Sequence, residues 1–472
     1  MLWKRWLSFI LVVSLAGCVR YEPQPLRPEQ LESGYRARTL ADAGLRDFVG
    51  EHFTNPPVAW PPAEFDLKSL TLAALYFHPD LQLARARVAT ARAAEITAGA
   101  RPNPTAALLP TWVLDSFPGE TPWLFGASVD VPIETAGKRG RRIELARALT
   151  AGARLGFSET AWNVRARLRQ ALVEYFCAQR ALELFRAEAE TQSQLTNFLQ
   201  KRVEAGETSR FELTVARSQS LDATLALRAA QTRLADARQA VASAVGLPAA
   251  ALERTTLAWP EFEEPPAHVS TGALQSAAVL GRADVALALA QYAAAEAALR
   301  LEIARQYPDI HVAPGYEFDQ GEHKFSLGPS IALPIWDRNQ GPIAEARAKR
   351  DEAAANFVSV QTAAIQEMEK AATDYQLAAA EWAEADERAR TLQRELAGAA
   401  EQQVQSGEAD RLSLFYAQLQ RNAALRARLE TLRKVQAALG ALEDAARRPL
   451  FDAEDWRAIQ RLENDHPPKR TP

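Results

Sequence analysis

Residues able to do chemistry are few in this chain, and none of them is grouped. Six histidines are scattered along it, Met368 is the only internal methionine, and the two cysteines, Cys18 and Cys177, lie far apart. A side-chain metal site needs Cys, His or carboxylate ligands at short, recurring spacings. None occurs, so neither a metal-ligand set nor a cofactor is expected. Gly156-Phe157-Ser158-Glu159-Thr160 lacks the closing glycine of a nucleophile elbow, and Ala136-Gly137-Lys138-Arg139 lacks the spaced glycine of a phosphate loop. The carboxylates follow the ordinary Glu/Arg patterning of helix surfaces. No catalytic residue is predicted, and the chain is not expected to be an enzyme. Cys177 lies within a helical pattern. A reactive thiol needs an electropositive, partly exposed setting, so a core cysteine is the expectation.

Cys18 is different because of what precedes it. Lys4 and Arg5 stand before an apolar run from Leu7 to Val13, the layout of a secretory signal rather than a spanning helix. Its end, Leu15-Ala16-Gly17-Cys18, resembles a bacterial lipobox. That implies cleavage before Cys18 and lipidation, palmitate included, of its thiol and new amino group. The formal net charge of -4 and the lack of a strongly basic stretch argue against a nucleic-acid partner.

The elements that would carry these residues are long. Residues 18–65 are rich in proline and read as an extended N-terminal arm. A helix is expected from Asp66, its candidate cap, to about Ala100, where Arg101-Pro102-Asn103-Pro104 stops it. The period then changes. Trp123, Phe125, Ala127, Val129, Val131 and Ile133 alternate with Gly126, Ser128 and Asp130, as in a strand with one apolar and one wet face. With the weaker strand Thr105–Asp115 it makes a hairpin over 104–133. A second helix (about Thr271–Arg305) and hairpin (308–335) follow the same plan, with apolar Ile310, Val312, Tyr316, Phe318, Phe325, Leu327, Ile331, Leu333 and Ile335.

Each hairpin leads into a very long helical pattern that turns once at a glycine. Val203 to Gln219 and Val404 to Gln420 match without a gap at seven positions, Gly206/Gly407, Glu207/Glu408 and Arg210/Arg411 among them. The chain therefore reads as an internal repeat. A helix from Gly140 to about Val203 would be about 95 Å long at 1.5 Å per residue. Leu213, Leu227, Leu234 and Val241, and later Leu425, Leu432 and Leu439, fall in heptad phase, so these rods are expected to pair along coiled-coil seams.

Trp112, Trp123, Tyr316, Phe318 and Phe325 lie on the apolar strand faces, which suits a barrel wall with lipid outside, water inside and an aromatic belt. Four strands cannot close such a wall, and open edges in lipid leave backbone groups unpaired. Several chains must then share one barrel. Lys138-Arg139-Gly140-Arg141-Arg142, just after the first hairpin, reads either as a lipid-facing cluster or as a solvated helix start. His311 and His323 read either as a pair across the second hairpin or as polar strand-end residues.

The duplicated plan, the paired glycine stretches, the Pro-Ile strand ends (Pro132-Ile133, Pro334-Ile335) and the lipobox together resemble the TolC-like outer-membrane efflux proteins, over about residues 66–447. Within that family, R-P-N-P at 101–104, P-I-E-T-A-G-K-R-G-R-R at 132–142 and P-I-W-D-R-N-Q-G-P-I-A-E-A-R-A at 334–348 look like the cobalt–zinc–cadmium heavy-metal branch. The resemblance implies a mainly α fold with a small β part: a homotrimer forming an α-barrel tunnel topped by a transmembrane β-barrel with four strands per chain.

It further implies a signal peptide at 1–17, a lipidated arm at 18–65, channel halves at 66–270 and 271–447, and a tail at 448–472. The place is the bacterial outer membrane, anchored through Cys18, with helices in the periplasm. The partners are outer-membrane lipid, a periplasmic adaptor of the membrane-fusion type and an inner-membrane pump of the resistance-nodulation-division type. The cargo is heavy-metal cations, with drugs or other small molecules as the alternative. Gly206, Glu207, Arg210, Gly407, Glu408 and Arg411 would form the periplasmic tip that meets the adaptor, and Glu212 a gate. Arg210 and Arg411 read either as ion-pairing tip residues or as solvated charges. A lipid-anchored periplasmic coiled-coil scaffold without a pore is the alternative of a different class.

Overall fold

The computed structural model describes residues 20–52, 60–114, 119, 121–253, 255–266, 269, 281–406 and 411–450. Residues up to Thr39 form a unit of their own, in which α1 (Pro28–Arg36) buries no side chain. The second unit begins with α2 (Ala43–His52), whose Leu45, Phe48 and Val49 are buried. The arm at 18–65 is thus not extended throughout. Its prolines cluster at 23–28 and 56–62, leaving a proline-free stretch between them in which helices can form.

The single helix expected from Asp66 to Ala100 is two helices, α3 (Leu67–Phe77) and α4 (Pro79–Gly99). Pro79 has no N–H to donate, and it forces the residue before it out of the helical region. His78 accordingly has φ -67° and ψ 127°, and its Nδ1 accepts the Asp80 N–H at 3.2 Å to cap α4. Asp66 does cap α3: its carboxylate accepts the Ser69 N–H at 2.8 Å, and its own N–H donates to Ser69 Oγ at 2.9 Å.

Then follow β1 (Thr105–Trp112), β2 (Trp123–Ile133), α5 (Lys138–Glu204) and α6 (Arg210–Val245). After a short 3₁₀ turn come α7 (Ala283–Ala304), β3 (Ile310–Asp319), β4 (Glu322–Ile331), α8 (Gln340–Ser406) and α9 (Arg411–Ala446). The long helices are equal in the two halves, 67 and then 36 residues in each, so α5 and α8 are each about 100 Å long. The fold is mainly α with one small antiparallel sheet, as expected. Part of the second helix expected from Thr271 lies outside the described residues.

The main core gathers α3, the middle of α5 and the ends of α6 and α9. Phe157, Trp162, Leu168, Leu172, Val241 and Leu442 are all essentially buried there, each such large apolar side chain stabilising by about 1.5–3 kcal/mol. Along α6 the buried seam has a second row beside the leucine phase read from the sequence. Ala216, Ala223, Ala230 and Ala237 are buried, while Leu227 and Leu234 are only half-buried. The small side chains of that row let two rods pack close together. Leu213 and Val241 are buried as expected, and so are Leu432 and Leu439.

Candidate functional site

The four strands form one sheet in the order β1-β2-β3-β4, every neighbour antiparallel. Register brings the apolar positions into rows. Leu108 faces Ala127, Ala127 faces Tyr316 and Tyr316 faces Phe325; nearer the turns Trp112 faces Trp123 and Phe125 faces Phe318. The predicted belt residues do meet. Trp112 and Trp123 stand edge to face at 4.7 Å, Trp123 and Phe125 lie nearly parallel at 6.0 Å, and Tyr316 and Phe325 are 5.3 Å apart. All five lie toward the turn end of the sheet. At the opposite end the row is Ile133, Ile310 and Ile331, and the aromatics near it, Tyr307 and Trp336, lie outside the strands. Sequence reasoning passed over both, since strand alternation does not reach them.

On the other face the side chains are mostly small or polar, with Leu109 and Leu124 the exceptions: Ser128 faces Gly315, Gly315 faces Ser326, and Glu317 faces Lys324. Lys324 Nζ lies 2.6 Å from Asp319 Oδ2. The two histidines are not a pair. His311 faces Ser330 and holds Asp130 at 2.9 Å, whereas His323 faces Phe318 and meets the Tyr316 hydroxyl at 2.7 Å. Strand alternation separates them, because an odd and an even position on one side of the register point to opposite faces. β1 and β4 are both edges with no partner strand among the described residues, and both are exposed along their whole length. β4 ends at Ile331, short of the expected Ile335, because its partner β3 begins at Ile310 opposite it.

The basic stretch after β2 has a specific use. Arg139 Nε donates to Gly99 O at 2.7 Å, and Arg142 donates to Ala98 O at 3.3 Å and Ala100 O at 3.1 Å, so two guanidinium groups satisfy the carbonyl end of α4. Arg142 also pairs with Glu134. Lys138 Nζ lies 2.7 Å from Asp309 Oδ1, which also accepts the Thr135 N–H at 3.0 Å. The cluster is therefore more than a solvated helix start. It ties α4 to α5, and the first hairpin to the entry of the second. In the second half Asn339 does the capping: its Nδ2 donates to Glu302 O at 2.8 Å at the end of α7.

At the far end of α5, Gly206 takes φ +76° and the chain reverses. The Glu207 N–H reaches back to Arg202 O at 2.9 Å, and Ser209 caps α6 by accepting the Glu212 N–H at 3.2 Å. Glu207 pairs with Arg202 at 3.3 Å; Arg210 is exposed and forms no ion pair among the described residues. Glu212 is exposed and accepts from the Thr208 hydroxyl at 3.1 Å. Gly407 and Glu408 lie outside the described residues, as does Cys18, and Arg411 opens α9. The start of α9 nonetheless packs beside the first turn. Leu195, Leu199, Leu213 and Ala216 form a small core against which Leu412, Phe415 and Leu419 pack, and Phe198 and Phe415 rings stand 6.0 Å apart.

Cys177 is buried, and burial pushes its thiol up to about 12, which leaves it protonated and unreactive at neutral pH. Among the described residues no three His, Cys, Asp or Glu side chains converge to hold a metal ion.

Residues 72–247 match the family model described as outer membrane efflux protein. The chain is 30% identical over 253 residues to the cobalt-zinc-cadmium resistance protein CzcC of Cupriavidus metallidurans, an alignment covering 50% of this chain and 56% of CzcC. The match thus spans little more than half of that curated relative. Among solved structures, the fold resembles the outer membrane protein VceC of Vibrio cholerae with a TM-score of 0.65 at 21% identity, covering 80% of this chain and 95% of VceC. It resembles CusC, described as a transmembrane channel, with a TM-score of 0.63 at 18% identity, covering 90% of this chain and 98% of CusC.

Proposed function

We propose that this protein is the outer-membrane channel of a tripartite efflux system, a passive exit duct for heavy-metal cations. The observation that carries the reading is the sheet: four strands with two unpaired edges, an apolar face open to the surroundings and a polar face of small side chains. Such a sheet is unstable in lipid alone, since each open edge leaves N–H and C=O groups without partners. Three copies joined edge to edge remove every edge and exceed the minimum of about eight strands for a closed barrel. The long paired helices then continue the tube into the periplasm, and the stretches around Gly206 and Gly407 form the tip that meets an adaptor and, through it, an inner-membrane pump.

Cys18 carries the lipid anchor in this reading, the channel halves run 66–270 and 271–447, and Glu212 contributes to the gate. The similarity to a cobalt-zinc-cadmium resistance protein supports metal cations as cargo. A wide aqueous duct need not coordinate what passes through it.

The test is planar-bilayer conductance of the purified protein together with its heat-labile oligomer on gels. A trimer that conducts is the expected result; absence of both would sink the duct and favour a periplasmic scaffold. Survival of a deletion strain across cobalt, zinc, cadmium and antibiotics then identifies the cargo.

A further inference from the structure

Beyond β4 the chain runs Ala332-Leu333-Pro334-Ile335-Trp336 before α8 begins. Trp336 is 90% exposed, more than any other large apolar side chain described. It stands at a cavity of about 570 Å³ between the end of α7 and the start of α8, where Ile303, Ile335 and Ile343 provide the apolar wall. The only charged side chains lining this cavity are Arg338 and Arg347. Arg338 Nε donates to Pro334 O at 3.3 Å, and neither guanidinium has a carboxylate partner among the described residues. This contrasts with the junction after β2, where Lys138, Arg141 and Arg142 each hold a carboxylate.

An apolar wall with two uncompensated guanidinium groups complements an amphipathic anion. Its level is set by the exposed apolar series Leu327, Ile331, Leu333 and Ile335, which runs down β4 into the groove. Tryptophan favours the boundary between acyl chains and head groups, and arginine binds phosphate through paired N–H donors. We propose that this groove seats a membrane phospholipid, with acyl chain against Ile303, Ile335 and Trp336 and phosphate at Arg338 and Arg347. A second copy is a poorer occupant on charge. The junction flanking the opposite sheet edge pairs Lys138, Arg141 and Arg142 with carboxylates but leaves Arg101 and Arg139 without one among the described residues, so it would bring cations to cations. The proposal rests on the outer-membrane reading above.

The test uses the full-length protein extracted in a non-ionic detergent, supplied with phosphatidylglycerol, and weighed by native mass spectrometry. The parent and an Arg141→Gln control should retain lipid; Arg338→Gln/Arg347→Gln should lose it, and Trp336→Ala should lose part, with oligomer and helical content unchanged. Excess inorganic phosphate should not displace the lipid, because the acyl contacts remain. Retention by the double variant would overturn the proposal. So would displacement by phosphate alone, which marks a free-anion site, or loss of the oligomer in the double variant, which marks a seat for a second copy. Protein that never partitions into membranes would sink the outer-membrane reading itself; membrane-embedded protein with an empty groove sinks only this inference.

Discussion

At the scale of single residues, the best-defined chemistry joins the two halves. Glu443 on α9 receives Arg165 at 3.0 Å and Arg169 at 3.2 Å from α5, and all three side chains are almost fully buried. Arg169 also donates to Gln436 O at 2.8 Å, and burial draws its pKa down. Removing the shared anion strands two cations, so Glu443→Ala should cost about 3–5 kcal/mol, read as a fall in the thermal midpoint by circular dichroism. An unchanged midpoint would show that water already screens the triad.

Nearby, Arg447 lies 3.1 Å from Glu159 and 3.8 Å from Asp284, which also pairs with Arg282 at 2.6 Å. Burial works against the Asp284 charge, but Arg282 and Arg447 outweigh it and hold the carboxyl below its ordinary value. Its contribution is then complete above that ordinary value and fades as pH falls through the folded one. The midpoint gap between the parent and Asp284→Asn should be widest near neutrality and close below about pH 4; a pH-independent gap would contradict this. Glu159 has the opposite sign, because burial raises it. Apart from Arg282 and Asp284, which are two positions apart, these partners lie more than 100 residues from one another and leave no local spacing to read, so the sequence shows them only as helix-surface charges.

At the scale of elements, two glycines end helices in the left-handed region, but in different surroundings. A Cβ added at Gly206, φ +76°, would meet nothing within 4 Å, whereas one at Gly246, φ +85°, would meet the backbone of Phe77 and His78 at 3.1 Å. Gly206→Ala should therefore cost only the backbone term, about 1–2 kcal/mol. Gly246→Ala should cost more, because it also pushes α6 away from the α3–α4 corner. Equal midpoint losses would mean that the corner yields. Gly206 was legible because the sequence around it recurs 201 positions later, and the strands because their alternation is uninterrupted. The break at Pro79 was written in the sequence but outweighed by the helical composition around it. The alanine seam was hidden by the larger leucines beside it, because hydrophobicity ranks Leu above Ala while close rod packing prefers the smaller side chain. The basic stretch after β2 could not be assigned locally, because what it holds is the end of a helix some 40 residues upstream.

At the scale of the whole molecule, the two faces of the sheet make opposite demands on a substitution. Val129 sits near the middle of β2 on the apolar face and is exposed, while Ser128, next to it, belongs to the small-residue face. If the apolar face meets lipid, Val129→Arg places a cation near the bilayer midplane at a cost of about 2–4 kcal/mol in each copy. Joined copies pay this together, so assembly should suffer more than any one chain's fold. With Cys18 replaced and a cleavable signal supplied, the parent should stay integral to the membrane, whereas Val129→Arg should become extractable by alkaline carbonate. Its helical circular dichroism should persist, since the core at Trp162, Leu168 and Leu172 lies in the helices, away from the sheet. Ser128→Arg should remain membrane-bound and instead lower single-channel conductance, because it adds bulk and positive charge to the water-facing wall. If both variants fractionate and conduct like the parent, the sheet does not line a membrane pore, whatever the likeness of the fold.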